Sequence, residues 1–370
     1  MILVFVGAGG SAAVDPEQYP TTVEFFERLP DDITGDGLFI KIREFLRHKK
    51  GEEPIDIEEV LWNLDELQGY FQASLNANNM AGWIMAGNRI KQLIGNAPDL
   101  THLLSGMVNL EAQILTLKNK INAQVYNFYA TPPDPEKLSN WVRLLKGLEE
   151  VDPAIQIFTT NYDLVLETVI KEAEIKVKTG RSSNDIQMRL DIACWDHPHA
   201  LTDDMGRLTK LHGSVDWQRH NEDIIVGNPN FTGNHQNHLI LYPGYKEEFD
   251  QEPFIKFHDH LDEVVFKTDV AIFIGFAFRD DEINDTLSYL PSESRKYVIN
   301  KDDSLPDLPF FNGCEHFNGG FTAEAVEACL RSLRPQNAQE YDDSDFKANS
   351  AYLDTLPPTP SSQPPSTKES

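Results

Sequence analysis

A chain of 370 residues with 40% hydrophobic and 25% charged residues has the composition of a soluble globular protein, and is long enough for one large domain or two. Its formal net charge of −27 argues against a phosphate-binding surface as its main business, so no direct nucleic-acid partner is expected. Three cysteines at no paired spacing (Cys194, Cys314, Cys329) exclude a disulfide framework and a four-cysteine zinc site, as in a reducing cytoplasm, and no apolar run approaches the ~20 residues that span a bilayer.

The opening apolar run Ile2–Val6 lacks a basic leader and runs directly into glycines, so it is predicted to be a buried parallel strand rather than a signal sequence. Gly7-Ala8-Gly9-Gly10-Ser11 follows it. Glycines there let backbone approach a pyrophosphate, whose oxygens amide groups can satisfy, although a plain turn reads the same way. From about 36 to 145 the pattern becomes almost pure helix. Ile57, Leu61, Leu64 and Leu67 recur at helical spacing, and Leu103, Met107, Leu110, Ile114, Leu117, Ile121, Val125 and Phe128 form one long stripe. This is an inserted helical module whose stripe packs within the chain or forms a subunit interface. The basic run from Lys41 to Lys50 fits a solvated helix face.

Residues 155–159 are predicted to form a strand ending in Thr159-Thr160-Asn161-Tyr162-Asp163, before a helix over 164–172. Polar groups at the carboxyl end of a parallel strand are where open α/β sheets place their sites, but Asn161 or Asp163 would also serve as a helix cap. A run over 208–211 ends in His212-Gly213, and imidazole, with an ordinary pKa of ~6.5, suits general-base work at neutral pH. Cys194, His197 and His199 resemble metal ligands, but no fourth follows at finger spacing and Pro198 constrains the run, so no metal is assigned.

Further strands are predicted at 239–242, Val270–Ile274 and 297–299, with helices over 254–266 and 282–290. His258 and His260, two apart on a helix, face different directions and read as surface residues. Gly275-Phe276-Ala277-Phe278 and Asn300 stand at strand ends; Arg279 has Asp280, Asp281 or a phosphate as possible partners. Past Arg334 the chain is rich in Pro, Ser, Thr and Asp and reads as a flexible tail over 336–370. Strands alternating with helices predict an α/β fold, a Rossmann-like doubly wound parallel sheet with the helical module inserted over 36–145 of a domain spanning 1–335.

In this order, the glycine loop, Thr-Thr-Asn-Tyr-Asp, His-Gly, Gly275-Phe276 and Val298-Ile299-Asn300 resemble the sirtuin family, and more closely its divergent branch in bacterial antiphage defence. The resemblance implies that Gly7, Ala8, Gly9 and Ser11 hold a dinucleotide, with Thr160, Gly275, Phe276 and Asn300 as further contacts to it. It implies that Asn161 positions the nicotinamide ribose and a water, that Asp163 receives the carboxamide, and that His212 is the general base. Tyr19-Pro20-Thr21-Thr22 stands where the family has Pro-x-Phe-Arg, so that arginine is not carried over, and Thr160 replaces the family's Gln.

The implied activity is NAD glycohydrolysis, releasing nicotinamide and ADP-ribose, with NAD as substrate and no metal. Alternatives are a sensor or scaffold that binds NAD or ADP-ribose without turnover, and a protein deacylase, which the missing four-cysteine module disfavours. Sirtuin-like defence proteins also suggest a homo-oligomer. Because the α/β unit, insert and tail account for the sequence, a separate regulator is expected, such as a ring-forming ATPase of the HerA type or another infection sensor.

Overall fold

The computed structural model describes residues 1–76, 100–182, 188–196, 205–221, 223–227, 238–242, 251–302 and 305–333. The predicted tail at 336–370 and the candidate ligands His197 and His199 lie outside the described residues. In chain order the strands are β1 (Ile2–Val6), β2 (Gln156–Thr159), β3 (Val177–Lys178), β4 (Arg181–Ser182), β5 (Arg189–Leu190), β6 (Gly206–Lys210), β7 (Gly213–His220), β8 (Asp223–Val226), β9 (His238–Ile240), β10 (Val270–Ile274), β11 (Arg295–Asn300) and β12 (Glu315–Asn318).

A parallel sheet of seven strands runs β12-β11-β10-β1-β2-β6-β3. The chain starts in the middle at β1, builds outward through β2 and β6, then returns past β1 to build β10, β11 and β12. This is the doubly wound α/β fold expected, with its switch point between β1 and β10, where a crevice opens at the carboxyl ends of the strands.

Alternation explains why these runs are apolar throughout. Ile2, Val4 and Val6 of β1 point into one core with Ile272, Ile274, Tyr297 and Ile299, while Leu3 and Phe5 point into a second core with Phe273 and Val298. The first core is covered by helices Gly37–Lys50, Ile57–Asn76, Leu100–Tyr129, Ser139–Val151, Val165–Ala173 and Ala323–Leu333. The second is covered by Phe254–Val265, Asp281–Leu287 and a five-stranded sheet ordered β4-β5-β8-β7-β9.

Three expectations change. The run at 239–242 does not join the parallel sheet: β9 pairs antiparallel with β7. The cause is Gly213, whose φ of +80° turns the chain back after His212 and brings it so close to Leu239 that a Cβ would lie 2.0 Å from the Leu239 carbonyl oxygen. His260 is not a surface residue. It is buried on the apolar face of its helix, with a ring nitrogen 3.1 Å from Gln156 Oε1. Burial, with a smaller push from Arg207, lowers its pKa to about 3, so it is neutral. His258 is half-buried rather than exposed, and burial, then the charge of His212, lowers it to about 4.

The helical insert shares its core with the sheet. Ile114, Leu117, Ile121 and Val125 are buried among residues of the same chain, and Leu110 and Phe128 pack against them. The side chains of Leu103 and Met107 lie outside the described residues. This half of the stripe therefore belongs to intrachain packing. Helix Ser139–Val151 crosses the expected boundary at 145 and packs between Val165–Ala173 and Ala323–Leu333 as a covering helix of the sheet. The basic run ends its helix with Arg47, His48 and Lys49 exposed, while Lys50 turns in to pair with Glu59 at 2.8 Å.

Candidate active site

At the switch point the loops after β1 and β10 touch backbone to backbone. Gly7 N donates to Ile274 O and Gly9 N to Gly275 O, both at 2.9 Å. A Cβ on Gly7 would lie 2.5 Å from Phe276 Cα, so the first glycine is required by the neighbouring loop. Gly10 N donates to Gly7 O at 2.9 Å. The amides of Gly9 and Gly10, offered by the sequence as phosphate donors, are thus already bonded within the loops.

Beside this contact opens a cleft of about 580 Å³, within the range of small-molecule and cofactor sites. Ala8, Ser11, Thr160, Asn161, Asp163, His212 and Phe276 line it; Gly7, Gly9 and Gly275 are not among the lining residues and hold the two adjoining loops together. Asn300, at the end of β11, is not among the lining residues; its side chain bonds Asp302 and the Lys301 amide.

Asn161 is buried. Its Nδ2 donates to Gly7 O and to Ser11 Oγ, each at 2.9 Å, and its own amide donates to Thr159 Oγ1 at 3.0 Å. It fastens the end of β2 to the loop after β1 rather than capping a helix. Asp163 Oδ1 accepts from Val165 N at 2.9 Å just before the helix, whose N-cap is Leu164, and the residue lines the cleft. Burial raises its pKa, opposed by the charge of Lys210 and a hydrogen bond from Ser11.

His212 is buried with Nε2 at 3.4 Å from Asp280 Oδ2. Burial pushes the Asp280 carboxyl up, but hydrogen bonding and charge from His212 outweigh it, so the net shift is downward. Asp280 also accepts the amides of Glu282 and Ile283, capping helix Asp281–Leu287. A fixed carboxylate beside imidazole sets the ring's orientation. Arg279 lines the cleft, half-exposed, with its guanidinium 3.8 Å from Asp56.

Several site residues carried no signal in the sequence. Lys210 is buried under the cleft, donating to the carbonyls of Tyr162 and Asp163, to Ser214 Oγ at 2.9 Å and to Glu167 Oε1 at 3.1 Å. Arg181 joins Glu167 at 3.3 Å to Asp216 at 2.8 Å, balancing two cations against two anions. Lys210→Met is expected to lower stability by about 3 kcal/mol, because Glu167 loses a buried partner and two carbonyls lose a donor; urea unfolding measures it, and a loss under 1 kcal/mol would deny the network its role. Asp56, Glu58 and Glu59 enter the cleft from the start of helix Ile57–Asn76. Asp56 and Glu59 form a reciprocal cap, Glu59 N donating to Asp56 Oδ1 at 3.0 Å and Asp56 N to Glu59 Oε2 at 3.2 Å. That pattern was readable; the inward aim of Glu58 between two other acids was not.

The fold and site define a doubly wound α/β protein with a cleft at the carboxyl ends of its central strands, lined by an amide, an imidazole and several carboxyl groups. Residues 155–309 match the model of the SIR2-like domain family. The match includes the strand ends carrying Asn161, His212 and Gly275, and excludes β1, its loop and the helical insert. No curated protein matches this chain. Among solved structures, a Sir2 homologue–NAD complex is 13% identical over 90% of this chain and 89% of its own, with a TM-score of 0.38. A mutant Sir2 homologue bound to 2′-O-acetyl ADP-ribose is 13% identical over 90% and 91%, with a TM-score of 0.39. Among the described residues no group of three or more His, Cys, Asp or Glu is arranged to hold a metal ion, and no helix is long and apolar enough to cross a membrane.

Proposed function

We propose that this chain is an NAD glycohydrolase, releasing nicotinamide and ADP-ribose. The observation that carries this reading is the convergence of Asn161, His212 and Asp163, from the ends of neighbouring strands, on one cleft beside the β1 loop. The pyridinium of NAD is already a good leaving group, so the reaction needs no strong acid; it needs a positioned sugar, excluded side reactions and a water. In the proposed complex Asn161 and His212 orient the ribose hydroxyls and the water, Asp163 receives the carboxamide, and Ala8, Ser11, Thr160 and Phe276 contact the dinucleotide. Gly7, Gly9 and Gly275 contribute through the two loops they hold together beside the cleft, and Asn300 contributes only if the adenosine end extends beyond it.

Asp280 supports His212 in this scheme. Asp280→Asn is expected to lower kcat at least tenfold with a smaller change in KM, because imidazole loses the charge that orients it. An unchanged kcat in steady-state assays would remove Asp280 from the mechanism.

Incubating the purified protein with NAD, with and without an acyl-peptide, tests the reading. Nicotinamide and ADP-ribose without peptide are expected; binding without products would favour the sensor or scaffold, and peptide-dependent acyl-ADP-ribose would favour deacylation. We further propose that the setting is antiphage defence in the cytoplasm, as a homo-oligomer controlled by a separate protein such as a ring-forming ATPase, the acidic surface suiting a partner with basic patches. Full phage-triggered NAD loss in cells expressing this chain alone would overturn the need for that partner.

A further inference from the structure

Glu58 is a cleft residue that the reading above leaves unused. It comes from the helical insert, yet its Oε1 accepts the Tyr162 hydroxyl at 2.5 Å, and Tyr162 stands between Asn161 and Asp163. The groups that act on it come from widely separated parts of the chain: Asp56 beside it, Tyr129 later in the insert, Tyr162, Tyr242, and His212 with Asp280. It lines the cleft with His212, whose charge it senses, at the strand ends where Asn161 and Asp163 converge.

We propose that Glu58 is a catalytic residue of this site, its carboxylate facing the nicotinamide ribose and taking the proton of the attacking water. The proposal rests on the glycohydrolase reading. As the C1′–N bond breaks, its electron pair stays on the nicotinamide nitrogen, which becomes neutral. The water oxygen bonds to C1′, and its proton passes to Glu58 and then to solvent, giving nicotinamide, ADP-ribose and one proton. The anion also stands against the cationic ring of NAD and the cationic sugar that develops from it. His212 and Asn161 keep their orienting roles.

The setting suits a base that works near neutrality. Burial raises the Glu58 carboxyl most, Asp56 and Asp280 raise it further, and the Tyr162 hydrogen bond and His212 oppose them, leaving it pushed up to about 7. The base form predominates above that value, so kcat/KM should rise with pH through about 7.

Glu58→Gln keeps an acceptor for Tyr162 and cannot take the proton. It is expected to lower kcat about a hundredfold, to leave KM within a few-fold, and to erase the acid limb of the kcat/KM profile, with unchanged circular dichroism. Tyr162→Phe removes a bond that favours the anion, so it should move that limb to higher pH. A Glu58→Gln enzyme with wild-type kcat, or one that keeps the acid limb, overturns the proposal while leaving the glycohydrolase reading intact. If the wild-type protein binds NAD without hydrolysing it, the glycohydrolase reading fails and the proton transfer to Glu58 with it. Calorimetry at pH ~6.5 in buffers of different ionisation enthalpy tests whether the Glu58 carboxylate still faces the bound cation. NAD binding should then expel a proton in wild type and none in Glu58→Gln. Equal proton release, or no NAD binding at all, overturns the assignment.

Discussion

Asn161→Ala and His212→Ala are each expected to reduce NAD hydrolysis by a hundredfold or more, and the double variant to be little worse than either alone. Each residue acts on the same step, so removing the second group takes away little that the first has left. The geometry adds a control. Asn161 Nδ2 holds Gly7 O and Ser11 Oγ, so the alanine variant also loosens the loop after β1. His212 Nε2 lies instead 3.4 Å from Asp280 Oδ2, at the start of another helix. If hydrolysis depends on chemistry, both variants lose turnover; if it depends on loop order alone, Asn161→Ala loses thermal stability and His212→Ala keeps its rate. Nicotinamide release, measured beside a thermal melt, separates these results. Wild-type turnover in both single variants would remove the catalytic assignment.

Gly275→Ala is expected to destabilise the protein by about 3 kcal/mol or more. Gly275 has a φ of +56°, and a Cβ there would lie 2.2 Å from Gly10 N and 2.4 Å from Gly9 C. A left-handed backbone with a side chain costs about 1–3 kcal/mol. The clash adds a similar amount, because backbone cannot move aside as a flexible side chain can. The loops after β1 and β10 would separate, losing the bond from Gly9 N to Gly275 O. Chemical denaturation should show a lower midpoint with little change in slope. A variant as stable as wild type would mean that the two loops are not held in this contact.

The same residue shows what a sequence leaves undecided. Gly7, Gly9 and Gly275 stood out as glycines at strand ends, and phosphate cradling accounted for them. In the fold they allow two loops to meet, a constraint set by residues some 270 positions apart in the chain. His260 was misread for a related reason. Its two-residue spacing from His258 suggested different faces, but only the position of the helix against β2 decides which face is buried. Glu58 is the extreme case: acidic residues surround it in the sequence, and its approach to Tyr162 links positions 104 apart.

By itself the sequence determined the central parallel strands β1, β2, β10 and β11, since strands covered on both faces tend to be apolar throughout, as Ile2–Val6 and Val270–Ile274 are. It also marked Asn161, Asp163 and His212, because polar residues that interrupt such runs stand at strand ends. Tertiary structure alone decided the antiparallel second sheet, the pairing of His212 with Asp280 and the entry of the insert's Glu58 into the cleft. Those features depend on long-range approach and on burial of charge. Local periodicity carries neither, because a residue's spacing reports the face it occupies and not what the chain will bring against that face.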